Sequence, residues 1–363
     1  MFRSVSIPVL YRIPHKRLVD ELLKHNVDTT RQINIFMDTK SVIPHLYNKD
    51  IATTVVEMAD SRLIVKGLLE IILYYINFFK KYEFENAVNF VLFSETGESV
   101  YHKKYSTSYK ANRKISKLNM YGSNELKESV QKQMYTEILE AYTYLGRTYP
   151  DNILCYNLEY LEADFIPLYI IEKEELSDPY YFNIILSKDK DLSQCLIYDN
   201  TIQITKTKDY TFSCPYDAIQ IFDKKHTIDI SKKDINFGYC IPIILAMMGD
   251  AVDGVKGLEG VGFIKAYNFL KKVFDLTTIS SYIEPSDIIT AIENKNLSKN
   301  PMANKIINNI DSLETDFNLV SFKRLIDSRS AVGTKIEPYY NSLLDTSHID
   351  EIERNLNARN KQF

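Results

Sequence analysis

Apolar residues fall in short continuous runs set between stretches of helical periodicity. Ile33 to Met37 is one such run and ends in Asp38, the pattern of a buried strand with a carboxylate at its C-terminal end. A second run, Asn89 to Phe93, follows a long apolar-periodic stretch, Arg62 to Lys80, which predicts a helix. Ile153 to Cys155 and Phe182 to Leu186 follow, the latter leading into Ser187, Lys188, Asp189, Lys190 and Asp191. Strands alternating with helices predict an α/β fold with a mostly parallel central sheet covered on both faces. In such sheets ligands gather at the carboxyl ends of the strands, which places Asp38 and Asp189 on one functional edge.

From about Asn236 the texture changes. An apolar helix, Ile241 to Met248, leads into Gly249-Asp250-Ala251-Val252-Asp253-Gly254 and a glycine-rich stretch, and Phe263 to Val273 reads as a second helix. Four of the 11 glycines fall between Gly254 and Gly262, as expected where backbone must turn tightly or approach a ligand. At about 150 residues per domain, 363 residues suggest two to three units. The expected division is an N-terminal extension over 1–32, an α/β unit over 33–235, and a helical region over 236–363 whose tail, from about Pro285, is helical and otherwise uninformative.

Composition narrows the class. Hydrophobic residues at 45% and charged residues at 25% fit an ordinary globular protein. The longest apolar stretch, Leu68 to Phe79, contains Glu70 and is too short to span a membrane, and the start lacks a secretory signal. Cys155, Cys195, Cys214 and Cys240 are too scattered for a disulfide frame or zinc site, which predicts a cytoplasmic setting. The six histidines form no cluster at metal spacing. Lys and Arg total 44 against 48 Asp and Glu, a net charge of −4 that argues against a generally basic nucleic-acid coat. The distribution of charge matters more than its sum.

Acidic residues recur in pairs: Glu162 with Asp164, Asp189 with Asp191, and Asp250 with Asp253, besides Asp38. Singly, each pair reads as solvated surface. Together at strand ends and helix starts they read as a site, because clustered carboxylates repel unless a cation lies among them. Oxygen-only ligation favours Mg²⁺, with Mn²⁺ as the alternative. Two such ions about 4 Å apart are the usual apparatus of phosphodiester hydrolysis.

Between Tyr101 and Lys117 lie Lys103, Lys104, Lys110, Arg113, Lys114 and Lys117 with no acidic residue, interleaved with Tyr101, Tyr105 and Tyr109. This reads either as an amphipathic helix with core-facing tyrosines or as a footprint for a polyanion, with cations on phosphates and rings on unpaired bases.

Four strings in order carry a resemblance: Tyr109-Lys110-Ala111-Asn112-Arg113, Glu162-Ala163-Asp164, Ser187-Lys188-Asp189-Lys190-Asp191-Leu192-Ser193-Gln194, and Met248-Gly249-Asp250 through Gly262. They resemble the Y-K-x-x-R, E-A-D-D, S-G-D-K-D-x-x-Q and G-D-x-x-D-N-x-P-G-V-x-G-I-G patterns of the 5′-nuclease superfamily of flap endonucleases and 5′→3′ exonucleases. The match covers roughly residues 33 to 275. It implies a PIN-like nuclease domain with a helical arch over about 101–145 and a C-terminal helix-hairpin-helix. The resemblance gives Asp38, Glu162, Asp164 and Asp189 to one metal ion and Asp191, Asp250 and Asp253 to a second, with Asp189 near both. Lys110 and Arg113 would contact the scissile phosphate, and Tyr109 would stack on the terminal base. Gly257, Gly260, Gly262 and Lys265 would grip the uncut duplex with an associated K⁺, and Lys103, Lys104, Lys114 and Lys117 of the basic stretch are expected to bind nucleic acid through its backbone phosphates.

This chain departs from the family at several positions. The family aspartate after the second strand falls on Ser94, with Glu95 and Glu98 nearby, and Phe165 replaces the last acid of E-A-D-D. Gly254 replaces an asparagine, Lys256 and Glu259 replace prolines, and Lys265 sits one place late.

The resemblance implies a metal-dependent structure-specific 5′-nuclease acting on flapped, nicked or branched DNA, or on RNA primers in RNA–DNA hybrids, in replication or repair. It would act as a monomer off the membrane, with replication proteins as further partners. The Trp-free, lysine-, asparagine- and tyrosine-rich composition fits an AT-rich genome, and the divergence from the family patterns suggests a phage source. Two alternatives stand beside it: a catalytically impaired junction-binding protein of this fold, suggested by Ser94 and Phe165, and a toxin-like single-strand ribonuclease, which leaves the glycine hairpin unexplained.

Overall fold

The computed structural model of the chain describes residues 11–42, 62–84, 88–113, 123–206, 210–215, 237–332, 335–339, 341–344 and 346–360. Its centre is a six-stranded sheet in the order β3-β2-β1-β4-β5-β6. Strands β1 (Gln32–Asp38), β2 (Val88–Thr96), β3 (Ile153–Glu159), β4 (Tyr181–Leu186) and β5 (Thr201–Lys206) run parallel, and β6 (Tyr210–Ser213) lies antiparallel on β5. Residues 33–37 of β1 and 90–94 of β2 are buried, because helices cover both faces of the sheet. The mostly parallel sheet expected from the apolar runs is therefore present. Strands β5 and β6 lie outside the predicted runs: Thr201-Ile202-Gln203-Ile204-Thr205-Lys206 alternates polar and apolar residues, yet its first five residues are buried on both faces.

Register is pinned by polar side chains inside the sheet. Asn34 stands opposite Asn89 on β2 and Asn183 on β4. Asn89 Nδ2 donates to Asn34 Oδ1 and Asn34 Nδ2 to Asn183 Oδ1, both at 3.1 Å. A slip of one residue would strand these buried amides without partners, so the ladder selects one alignment. That alignment puts Asp38 opposite Phe93 and Met37 opposite Leu186. Asp38, Glu95 and the turn after β4 therefore leave the sheet at the same edge, where strand order reverses about β1.

One face of the sheet is covered by helix α3 (Leu63–Lys81), apolar nearly all round as a buried helix must be, and by the long helix α5 (Asn124–Thr148). Helix α1 (His15–Lys24) and the segment before it join this core: Tyr11 and Ile13 are fully buried, and the Tyr74 and Tyr75 hydroxyls donate to the carbonyls of Ile13 and Tyr11. The short helices α2 (Thr39–Val42) and α4 (Val100–Tyr105) follow β1 and β2 at the functional edge. Helix α6 (Ile166–Lys173) covers the opposite face.

The helical region has a core of its own, built from α7 (Ile241–Met248), α8 (Phe263–Val273), α9 (Pro285–Asn294), α10 (Pro301–Asn308) and α11 (Ile310–Val320). The chain then returns to the sheet. Helix α12 (Phe322–Val332) buries Phe322, Leu325 and Ile326 beside α6. Helix α13 (Ser347–Asn360) buries Ile349 and Leu356 against the α3–α5 face, where Glu353 accepts from the hydroxyls of Tyr144 and Tyr149. The span expected as one helical region is thus divided, its last elements serving the sheet. Among the described residues no helix is long and apolar enough to cross a membrane.

Candidate active site

The edge predicted to carry chemistry is acidic. Asp38 ends β1, and its carboxylate accepts from the amides of Lys40 (3.1 Å) and Ser41 (3.2 Å), from the Ser41 hydroxyl, and from the Ser187 hydroxyl (3.0 Å). Asp189 follows β4, and its Oδ1 accepts from the amide of Asp191 at 3.0 Å to open a 3-10 turn over Lys190–Cys195. The backbone of this turn is held from β5, where Gln203 Nε2 donates to the Asp189 carbonyl at 2.6 Å. Asp38, Asp164 and Glu95 interact electrostatically with one another, Asp189 with Asp38, Asp164 and Asp191, and Asp191 with Asp250 and Asp253. The fold therefore brings together all seven carboxylates read from the sequence and adds Glu95.

Of the two acids near the open position at Ser94, Glu95 lies among the carboxylates of the edge. Ser94 is buried and donates to Asn157 Oδ1 at 3.0 Å, so its side chain belongs to the sheet. Glu95 lies one residue further along β2, in the electrostatic neighbourhood of Asp38 and Asp164.

Four cations are set into this acidic edge. Lys40 pairs with Glu95 and Lys110 with Glu162, both at 2.5 Å; Lys190 pairs with Asp250 at 2.8 Å, and Arg113 with Asp253, NH2 to Oδ2 at 2.6 Å. Their effect divides the carboxylates. Burial raises the Glu162 carboxyl, but Lys110, then His102 and Arg113, more than offset it and bring it down to about 2. Asp250 is likewise held low by Lys190 against the effect of burial. Asp38, Asp164 and Asp191 are pushed up, first by burial and then by their acidic neighbours. Asp191 Oδ1 is buried with no hydrogen-bond partner.

An all-oxygen set with crowded carboxyls, three of them raised by burial and by one another, and an orphaned oxygen fits a hard divalent cation. Among the described residues, however, no three acidic, histidine or cysteine side chains stand in a ready ligating array.

The basic segment is docked on the second acidic pair. The Lys110 amide donates to the Asp253 carbonyl at 2.9 Å, and Asn112 Nδ2 to the Ala251 carbonyl at 2.8 Å. Lys110 takes a left-handed backbone, φ 57°, which a non-glycine residue keeps only when its surroundings hold it there.

Lys110 and Arg113 line a cavity of about 520 Å³, together with Lys40, Glu95, Lys103 and Glu162. Its far wall is one face of α5: Lys127, Gln131 and Tyr135, at four-residue spacing. No motif marks those three, but their spacing on a helix beside a basic segment is a usable signal. Lys104 is exposed, 5.8 Å from the Tyr105 ring, and is not part of this lining. Lys114 and Lys117 lie outside the described residues.

Tyr109 corrects an expectation. Its ring is 8% exposed, stacks on His102 at 4.5 Å and 12°, and its hydroxyl donates to Glu162 Oε2 at 3.3 Å. In this structure one face of the ring is taken by His102, and the residue meets the cavity of Lys110 and Arg113 only as part of its wall.

The glycine stretch forms the predicted turn. Gly249 and Gly257 have φ of 70° and 68°, and a Cβ on Gly257 would come within 2.5 Å of the Gly249 nitrogen, so the two backbones touch. The Gly257 amide donates at 2.9 Å to Asp316, a buried carboxylate on α11, and the Lys256 amide does so at 3.2 Å. Gly257 therefore fastens the hairpin internally and is not a free donor for phosphate, contrary to expectation. Gly260 and Gly262 border open space, nothing lying within 4 Å of an added Cβ, and Lys265 Nζ donates to the Gly260 carbonyl at 2.7 Å. Gln194 of the Asp189 string also serves the frame: its side chain bonds the Val320 carbonyl and the Phe322 amide, closing the α11–α12 junction.

No family model matches the chain. Over 111 residues, 31% of its length, it is 37% identical to a 5′-3′ exonuclease of Aquifex aeolicus (strain VF5), a match that spans 33% of that relative. Among solved structures, the 5′-exonuclease of bacteriophage T5 with bound zinc aligns with a TM-score of 0.56 at 16% identity, covering 89% of this chain and 98% of that one. The T5 flap endonuclease in a pseudo-enzyme-product complex with DNA and metal ions aligns at 0.52 and 17% identity, covering 89% and 97%. This chain carries the fold of those nucleases, as the resemblance in its sequence implied.

Proposed function

We propose that the chain is a divalent-metal-dependent, structure-specific 5′-nuclease that hydrolyses phosphodiester bonds at 5′ flaps, nicks and ends of DNA and in RNA–DNA hybrids. One observation carries the reading: eight carboxylates converge at the edge of a parallel sheet directly beneath a docked basic segment. The sequence match to a 5′-3′ exonuclease and the fold of the T5 enzyme, solved with DNA and metal ions, support it.

Asp38, Glu95, Glu162, Asp164 and Asp189 would hold one cation, Mg²⁺ by donor chemistry, and Asp189, Asp191, Asp250 and Asp253 a second. Divalent cations bound there supply Lewis acidity and make water more acidic. The chain itself does the rest. Ser41 and Ser187 orient the Asp38 carboxylate through hydrogen bonds. Lys110 and Arg113, at the boundary between acidic edge and cavity, are placed to exchange carboxylate for phosphate and to stabilise charge developing on its oxygens. The cavity beside them receives the strand 5′ to the cut, and the open backbone at Gly260 and Gly262, with K⁺ as the expected companion, faces the duplex.

The test is a panel of 5′-labelled flapped, nicked, blunt and RNA-primed duplexes with and without Mg²⁺. Cleavage that requires both Mg²⁺ and a 5′ end is expected, and binding without turnover would instead favour a junction-binding protein. Within the same panel Glu95→Gln should lower the rate about tenfold or more. Ser94→Ala should leave the rate nearly unchanged while costing about 1 kcal/mol of stability.

A further inference from the structure

The eight carboxylates of the edge divide into two sets. Glu95, Glu162, Asp250 and Asp253 each have a cation of their own. Among the described residues no ammonium or guanidinium stands within ion-pair distance of Asp38, Asp164, Asp189 or Asp191. Of the four cations Lys190 has the least obvious purpose. It lies between Asp189 and Asp191 in sequence, opens the 3-10 turn that Asp189 caps and Asp191 belongs to, and feels the charges of Asp191, Asp250 and Asp189 together.

The geometry at Asp250 shows what this ammonium does. Asp250 Oδ1 accepts from the amides of Val252 at 2.9 Å and Asp253 at 3.4 Å, while Oδ2 accepts from Lys190 Nζ at 2.8 Å. Both oxygens are engaged. A cation seeking Asp250 therefore meets an occupied carboxylate, although Asp191 beside it has an oxygen with no partner. The Lys190 side chain is 33% exposed, so it can reach solvent without disturbing the core.

We propose that Lys190 is a displaceable internal counter-ion for the second cation position: its ammonium supplies the positive charge there until a divalent ion displaces it from Asp250. The inference rests on the metal-dependent reading above and adds an order to it. Asp38, Asp164 and Asp189 can receive the first ion before Glu95 and Glu162 leave their lysines, whereas Asp250 joins the second only once Lys190–Asp250 breaks. The released ammonium then lies free at the mouth of the site, where an incoming phosphate is its natural partner. Lys190 is a positioning residue in this scheme, acting through Asp250.

The experiment is a Mn²⁺ titration of the full chain without substrate, read by calorimetry and by the paramagnetic resonance of free Mn²⁺, for the wild type, Lys190→Met and Lys190→Gln. The wild type should show a tighter and a weaker step. Removing the ammonium should strengthen the weaker step about tenfold or more, because a nearby like charge has gone, and leave the tighter step within about twofold. Asp250→Asn should abolish the weaker step in every background. Melting curves in chelator check that the variants fold, and either variant alone suffices for the reading. A weaker step that is unchanged or further weakened in the folded variants overturns the proposal. Absence of any Mn²⁺ binding to the wild type defeats the metal-dependent reading and this inference with it, whereas normal two-step binding indifferent to residue 190 defeats this inference alone.

Discussion

Asp189→Asn is expected to lower metal-dependent cleavage by roughly a thousandfold while making the metal-free protein slightly more stable. The two effects have one cause. Asp189 follows Asp38 and Asp164 along the acidic edge, flanks Asp191, and its charge raises the carboxyl of each of the three. Removing it takes away the carboxylate proposed to serve both cation positions and also relieves repulsion that Lys190 and Arg113 offset only in part.

The pH dependence follows from the direction of these shifts. A carboxyl raised in the folded state binds its proton more tightly there than in the unfolded chain. Its stabilising contribution is therefore present at low pH and lost as pH climbs from the ordinary carboxylate value, about 4, through the folded one. Asp38, Asp164 and Asp191 should make the metal-free fold less stable as pH rises, and the Asp189→Asn substitution should flatten that decline. Melting curves in chelator across the acid-to-neutral range, set beside initial rates in Mg²⁺, check both halves. A variant that loses activity and stability together would mean that Asp189 is a structural residue.

Lys110→Met should also lower the rate, by about 10²–10³, but with the opposite effect on stability. Its ammonium is 2.5 Å from Glu162 and is the main influence holding that carboxyl down to about 2 against burial. A depressed carboxyl stabilises the fold above its unfolded value, and that contribution is lost as pH falls through the folded one. At neutral pH the substitution leaves Glu162 buried and unpaired, at a cost of about 1–3 kcal/mol. The difference from wild type should shrink as pH falls from about 4 through 2, as Glu162 of the wild type takes up its proton too. Chemical denaturation at neutral and at acid pH reads it directly. Equal destabilisation at both would place the role of Lys110 in packing over Tyr109, whose ring centroid lies 5.4 Å from its ammonium.

What the sequence discloses, and what it hides, follows the range of the interactions involved. Strand ends and the order of the acidic pairs are local, and Asp38, Asp189, Asp250 and Asp253 can be placed from runs and spacings alone. The Asn34–Asn89–Asn183 ladder joins three strands, and each asparagine by itself looks like a flaw in an apolar run. Asp316 acts on Gly257 from 59 positions away, so nothing near the hairpin announces that its amide is taken. Tyr109 misleads because a tyrosine among lysines has the same spacing whether it faces a base or, as here, stacks on His102. Ser94 draws attention ahead of Glu95 because motif alignment counts positions, whereas the register of β2 decides which side chain clears the sheet.

The docking of the basic segment onto the second acidic pair also sets an order of assembly. Arg113 meets Asp253 across 140 residues, and Asn112 meets Ala251 across 139. These ties are made by partly exposed side chains, Arg113 being 40% exposed, whereas the Asn34–Asn183 bond of the ladder is buried, so the sheet with its first carboxylates can stay closed while the ties are open. Catalytic competence should then be the last property regained on refolding and the first surrendered in mild denaturant, ahead of the far-ultraviolet signal of the sheet. A chain that loses cleavage and sheet at one common midpoint would show that the helical layer and the sheet fold as a single cooperative unit.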